Sequence, residues 1–489
     1  MERLQANATE NQNTPVQKYK IIPIMTALLL AGFIGMFNET ALNIALSDLI
    51  HLFHISAATA QWLTTGYLLT LGILVPVSGL FLQWYTTRQL FTASLLLSIL
   101  GTVLAALAPG FELLMIARVI QAAGVALILP LMFHTVLVII PPEKRGGAYG
   151  LIGLVLVVAP AIGPTLSGLL IEQLSYNWIF GLSLPILLFS LLFGIRHMQN
   201  ITNVTKPKID LFSILLSTLG FGGIVFALSS AGEGEGGIAS PTVVISLLIG
   251  VLALILFSIR QLRMEQPMLD LRAFKQSMFT MGTVMLMLAV MVMMAAMLML
   301  PMYLIRVQGL NAFSAGIVLL PGGIINAIMQ PIMGKVFDKY GPRWVVPAGL
   351  MVISVVLWLL SGITATDSLT HIILLHTFLM IGISMVWMPS QANGLNQLPP
   401  SLYPHGSAIM NTVQQVAGAI GTAVAVSIMS IVANKSLLQS ADQANSANAV
   451  LSLTEGIQQV FLVAIFVSVL GFVLSLFMKR VLMPGRNDD

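Results

Sequence analysis

Along the 489 residues, long apolar runs alternate with short polar breaks. A helix needs roughly 20 apolar residues to cross the hydrocarbon core of a bilayer. Fourteen segments of that kind can be drawn, at 21–46, 58–82, 89–108, 111–138, 148–172, 178–196, 211–230, 241–259, 278–304, 312–333, 344–362, 369–390, 405–432 and 456–478. No connection between them is long enough for a folded soluble domain. The longest, near 433–455, is rich in Ser, Ala and Asn. The pattern predicts an all-α polytopic membrane protein with fourteen transmembrane helices. Its sharpest interruption lies in the first span, where GFIGMFNETALNIALSDL (32–49) places Asn38, Glu39 and Asn43 in an apolar run.

Composition strengthens the membrane reading. Hydrophobic residues make up 57% of the chain and charged residues 8%, with a mean hydropathy of +0.94, whereas a soluble chain carries about 25% charged residues. There are no cysteines, which excludes disulfides, thiolate-bound metals and thiol catalysis. The polar first 20 residues lack an apolar core followed by a cleavage site, so no removable signal peptide is expected. The net charge of +4 is read as orientation, not as affinity for nucleic acid. With the N-terminus inside, nearly all of the 22 Lys and Arg fall on the cytoplasmic side or its edge. The exceptions are Arg118 within a span and Arg306 and Lys435 outside. Basic loops orient membrane proteins in this sense, so a multi-pass protein of the cell membrane with both termini cytoplasmic is expected.

The chain also repeats itself. PPEKRGGA (141–148) and PPSLYPHGSA (399–408) each join one span to the next on the cytoplasmic side, 258 positions apart from Pro141 to Pro399. GLFLQWYTTR (79–88) after span 2 and GKVFDKYGPR (334–343) after span 10 lie 255 positions apart. Two equivalent bundles follow, as parallel transporter repeats require. The expected division is 1–205 for an N-terminal six-helix bundle, 206–275 for inserted spans 7 and 8, and 276–489 for a C-terminal six-helix bundle. GEGEGG (232–237) lacks the Lys and Ser/Thr of a phosphate-binding loop and reads as a flexible acidic turn. With no nucleotide site, uphill transport would draw on an ion gradient, and no cofactor is expected.

GKVFDKYGPR resembles the acidic-basic loop signature of the major facilitator superfamily. LLMIARVIQAAGVAL (113–127) looks like that superfamily's fourth-span motif, with Arg118, Gln121 and Gly124 in register. APAIGPTLSG (159–168) resembles the fifth-span motif of antiporters, and ETALNIAL (39–46), QWLTTGYLL (61–69) and GSAIMNTVQQVAGAIG (406–421) resemble segments of the fourteen-span drug:proton antiporters. The chain departs from the pattern in three places. Its first span reads F-N-E-T, with Asn38 at the usual Asp position and the carboxylate moved to Glu39. The loop after span 2 carries Gln83 where the signature has Asp, whereas the second copy keeps Asp338. Ala159 and Ser167 replace two glycines of span 5.

Glu39 is the one carboxylate that these spans place well inside the membrane, where insertion costs roughly 3 kcal/mol. It reads either as half of a static ion pair or as a titrating proton carrier. Arg118 is the one Lys or Arg within a span. Eighteen residues into an outward-running helix and seven into an inward-running one, at about 1.5 Å per residue, put both about 10 Å below the outer end. Contact is therefore plausible, although an arginine that only bonds backbone carbonyls remains the alternative. Asn43 shares the Glu39 helix face, while Asn38 points about 100° away and suits a packing or gating contact. Trp62, Tyr67, Trp387, Asn393, Asn411, Gln414 and Gln415 are candidate substrate contacts, although buried amides also serve helix association.

Gly163, Pro164 and Gly168 permit close approach and a kink in span 5, and the resemblance adds a role in sealing against proton leak. Asp338, Lys339 and Arg343 form a basic-acidic cluster that the resemblance casts as a contact changing during transport. Ten Met between 278 and 302 suit a surface that adapts to several ligands or lipid-facing filler, and no metal site is expected. Together these residues suggest a proton-coupled exporter of small amphipathic, cationic or neutral compounds that works by alternating access. Its partners would be substrates, protons and the bilayer, with no nucleic acid and no obligate protein. A dedicated exporter of one metabolite, lipid or osmolyte, a membrane enzyme acting on lipid and a non-transporting sensor are the rival readings. The enzyme would need a polar catalytic cluster near an interface, which the sequence lacks.

Overall fold

The computed structural model describes residues 19–202, 204–231, 240–439 and 446–481. Fourteen helices in these residues are long and apolar enough to cross a membrane. They are α1 (Ile21–Phe53), α2 (Ala57–Trp84), α3 (Thr87–Ala106), α4 (Phe111–Ile139), α5 (Arg145–Gln173), α6 (Asn177–His197), α7 (Leu211–Ala231), α8 (Pro241–Arg263), α9 (Ser277–Met302), α10 (Ala312–Tyr340), α11 (Pro342–Leu360), α12 (Leu369–Asn396), α13 (Tyr403–Gln439) and α14 (Ser446–Ser475). Every expected span falls on one of them, and no strand occurs among the described residues. The GEGEGG turn lies outside the described residues.

Helix ends differ from the hydrophobic limits for a simple reason. Apolarity marks where a helix leaves the bilayer, while the backbone ladder continues until something stops it. α1 runs on through Asp48 and ends only where His54 turns left-handed, at φ 53°. α10 stops at Gly341 (φ 76°) before Pro342. Thr86 closes a capping box with Gln89 at the start of α3, and Ser56, Ser240 and Ser368 cap α2, α8 and α12. Each cap satisfies backbone N–H groups that would otherwise have no partner.

The same helix pairs recur in the two halves. α1 packs on α4, α5 and α6, as α9 packs on α12, α13 and α14. α4 lies against α2 and α3, as α12 lies against α10 and α11. Between the halves, α5 meets α10 along one seam and α2 meets α13 along the other. α7 pairs with α8 and covers the second seam, touching both α2 and α13.

The two halves are bonded to each other at the end that carries Lys144, Arg145, Lys339 and Arg343, here called the basic end. Asp338 of α10 accepts from Gly146 N–H at 2.7 Å and Gly147 N–H at 2.8 Å, in the first turn of α5. A carboxylate at a helix N-terminus meets unpaired donors and the positive end of the helix dipole. The backbones are so close there that a Cβ on Gly146 would collide with the Gly334 carbonyl and with Asp338. Arg145 adds a bond to Asn396 Oδ1 at 3.0 Å and stacks over the Tyr403 ring at 5.4 Å. Arg480 secures the same corner by donating to the Asp338 and Lys339 carbonyls.

The second seam is closed differently. Gln83 bonds its own helix at the Gly79 carbonyl, and α13 presents Pro404, which has no N–H to offer. Instead, the connection after α8 lies across the seam. Leu269 packs on Gly79 beside Pro404, the Asp270 N–H donates to His405 Nδ1 at 3.2 Å, and Gln261 holds Leu269 N–H at 3.1 Å.

Candidate functional site

Arg118 is 0% exposed, and its donors are spread over three helices. Nε donates to the Leu63 carbonyl at 3.3 Å. Nη1 donates to the Asn38 carbonyl at 2.7 Å and to Gln121 Oε1 at 3.3 Å, and Nη2 to the Glu39 carbonyl at 3.4 Å. The Tyr67 ring lies 4.0 Å from the guanidinium carbon. A buried guanidinium needs such a full set of acceptors, and its planar fork with five donors can use them. Gln121 is held in turn, donating to Thr102 Oγ1 at 3.0 Å.

Glu39 stands at this cluster, but the contact is with its backbone. No ion pair joins Arg118 to the Glu39 carboxylate among the described residues, and Glu39 Oε2 is buried without a hydrogen-bond partner. The structure thus brings Glu39, Arg118, Asn38 and Tyr67 together while leaving one carboxylate oxygen unengaged. Asn38 Oδ1 accepts from Ser183 Oγ at 2.8 Å. Tyr67 donates to the Gly35 carbonyl at 3.3 Å. Gly163 of α5 faces this corner too, since a Cβ there would run into Thr40 Oγ1. The side chains of Asn43 and Pro164 lie outside the described residues.

The remaining candidates scatter. Trp62 is 42% exposed and stacks on Phe226 of α7 at 5.9 Å. Asn393 binds the segment after α14, donating to the Lys479 carbonyl and accepting from Val481 N–H. Asn411 bonds back to Ser407 in its own helix. Trp387 Nε1 and Gln414 Oε1 are buried without partners, and Gln415 is half-buried. Lys339 lies over Tyr340 and Arg343 over Trp344. Of the methionines in α9, Met285, Met293 and Met299 fill the interior and Met297 is exposed.

Residue type and apolar context alone did not point to four interior groups. Gln330 of α10 is buried against Gly153 of α5, with its Oε1 unpaired. His376 and His134 are buried with unpaired ring nitrogens. Arg145 contacts Tyr403, and the two stand at equivalent places in the loop repeat, which was the signal available for that pair.

The sequence matches the Major Facilitator Superfamily over residues 28–422. The chain belongs to that superfamily. Among major facilitator proteins, it is 60% identical to the lincomycin resistance protein LmrB of Bacillus subtilis, over 95% of this chain and 97% of that one. It is 56% identical to the protein of the same name in Listeria monocytogenes, over 96% and 99%. A probable multidrug resistance protein of Escherichia coli, EmrY, shares 26% over 86% of this chain and 82% of that one. The crystal structure of the human organic anion transporter MFSD10 superposes with a TM-score of 0.62 at 13% identity, covering 92% of this chain and all of that one; at that identity the likeness concerns the fold. The chain is accordingly a multi-pass small-molecule transporter of the major facilitator type, and the membrane-enzyme reading falls away.

Proposed function

We propose that this transporter is a proton-coupled antiporter that exports small amphipathic compounds, cationic or neutral, from the cytoplasm. The observation that carries the reading is Glu39, a carboxylate inside the membrane with a buried oxygen that no protein group engages. A static ion pair would engage that oxygen, whereas a proton carrier must leave it free to bind and release. Arg118 keeps a positive charge beside it through a backbone scaffold that does not depend on the carboxylate, so Glu39 can lose its proton without exchanging partners. Relatives named for lincomycin resistance and multidrug resistance support the cargo class.

In this reading the basic end is cytoplasmic, as the loop charges favour, and both termini lie there. Residues 1–205 and 276–489 rock against each other, with 206–275 inserted between them; the matching helix pairs support that division. The bonds from Asp338 to α5 then hold the cytoplasmic side shut, with Lys339 and Arg343 flanking them. Gly163 lets α5 lie close to α1 at Thr40, next to Glu39, which would link proton binding to the seam, and Pro164 and Gly168 are carried forward with it as conformational residues of α5. Asn43, Trp62, Trp387, Gln414 and Gln415 are the substrate contacts carried forward, while Asn38, Tyr67, Asn393 and Asn411 are engaged in internal bonds.

Uptake by inverted vesicles tests the coupling. Glu39→Gln cannot ionise, so downhill exchange is expected to persist while a pH gradient no longer concentrates a fluorescent lipophilic cation. Concentrative uptake by that variant would assign the proton to another group.

A further inference from the structure

The repeat that relates the two loops also relates two interior groups. The 258 positions from Pro141 to Pro399 carry Arg118 onto His376, and the 255 positions between the second pair of loops carry Tyr67 onto Gly322. The structure verifies both steps by contact. Tyr67 of α2 lies against Arg118 of α4, and Gly322 of α10 faces the His376 ring of α12 so closely that a Cβ there would strike Nδ1. Both basic groups stand seven residues into their helices, about 10 Å below the end opposite the basic one. His376 is therefore the second-half counterpart of Arg118, at the depth of Glu39.

His376 differs from Arg118 in what its environment supplies. It is 6% exposed and its Nδ1 has no hydrogen-bond partner. Where Tyr67 covers the guanidinium, Gly322 leaves the nitrogen uncovered by any side chain of its own. The groups facing it from the packed helices are neutral. α10 supplies the Leu319 carbonyl as a backbone hydrogen-bond acceptor for the ring and, one turn on from Gly322, Asn326, whose amide contacts Met380. α9 carries no charged residue, and Arg306 lies just beyond its end; the charged or titratable groups of α10, α11 and α13 (Lys335, Asp338, Lys339, Arg343, His405 and Lys435) sit near helix ends, as do Arg145 and Glu172 of α5. His371 of α12 is engaged with Asp367 at 3.4 Å, at the surface. Imidazole is the one side chain that ordinarily gains and loses charge between about pH 5 and 8.

We propose that His376 is a second proton-binding site of the transport cycle, taking its proton at Nδ1 from the outer side. The site rests on the antiport reading of Glu39 and extends it. Protonation of Glu39 removes a negative charge that attracts a cationic cargo, and protonation of His376 adds a positive charge that repels it. Both act at the same depth, one in each bundle. The cation is thereby expelled on the outer face, and both protons leave on the cytoplasmic face, where the next cation binds. Two protons entering for one monovalent cation leaving carries one net positive charge inward, so the membrane potential drives the exchange.

The test counts protons. Tetraphenylphosphonium has no proton of its own, so any release on its binding to purified protein in weak buffer comes from the protein. Wild type is expected to release two protons per cation, Glu39→Gln and His376→Gln one each, and the double variant none. Gly322→Ala, which sets a methyl group against Nδ1, is expected to lose one proton with the histidine still in place and so covers the case in which His376→Gln does not fold. In proteoliposomes, a potential negative on the side that protons enter is expected to speed wild-type exchange and leave His376→Gln exchange unchanged. If His376→Gln and Gly322→Ala release as many protons as wild type while Glu39→Gln releases fewer, the second site is wrong and the first stands. If Glu39→Gln releases as many as wild type, the antiport assignment itself fails.

Discussion

At the scale of single residues, the cluster divides into a bonded scaffold around Arg118 and a Glu39 carboxylate with one unengaged oxygen, which we propose as the carrier. Arg118 bonds the carbonyls of Leu63, Asn38 and Glu39 and so pins α1 and α2 to α4. Arg118→Ala is expected to lower stability by about 2–4 kcal/mol, as the loss of several charge-assisted bonds in a buried site does, and a thermal melt in detergent would measure it. Arg118→Lys places one ammonium where a fork reached three helices and is expected to recover only part of that loss. The sequence allowed Glu39 and Arg118 to be matched in depth, because helical rise is fixed. It left open whether the contact would run through the carboxylate or through carbonyls, because backbone acceptors leave no mark on residue identity. Asn393 and Asn411 illustrate the same limit from the other side. Their amides look like cavity groups in a string of letters, yet each is consumed by a backbone partner.

At the scale of elements, spans were legible because the bilayer sets their length, and the ends of α1 and α13 were not, because polar residues continue a helix into water without penalty. The seams depend on short contacts that composition does not encode. Asp338→Asn removes the charge that faces the first turn of α5. A carboxylate at a helix N-terminus contributes about 0.3–2 kcal/mol, so the closed basic end is expected to lose severalfold in population. A single cysteine at Ala148 reads this out cleanly, since the chain has none of its own: its labelling rate is expected to rise in Asp338→Asn. The α7–α8 pair has an ion pair of its own, Arg260 to Asp210 at 2.6 Å. The Arg260 bond holds Asp210 well below the usual carboxylate range, at about 2. Its contribution is therefore present above the unfolded value near 3.9 and is lost as pH falls toward 2. Because Arg260 is well exposed, Asp210→Asn is expected to cost under about 1 kcal/mol at neutral pH, measurable in the same melt.

At the scale of the whole molecule, the two halves match in helix pairing but not in the way the basic end is closed. The seam between α5 and α10 is held by a carboxylate and two N–H groups that can part and re-form. The seam between α2 and α13 has lost both sides of that arrangement, with Gln83 and Pro404 in their places, and is crossed by covalent chain from the insert. Mechanically this is a jaw with a catch on one side and a strap on the other. A jaw of that kind swings about its strapped edge, so the gap is widest at the catch. Spin-label distances between outward- and inward-favouring conditions are therefore expected to lengthen more across α5 and α10 than across α2 and α13, and equal lengthening would refute the pivot. With the basic end cytoplasmic, as we propose, bulky cargo dissolved in the inner leaflet would find its doorway on the α5–α10 side alone, which gives a structurally two-fold transporter a single front.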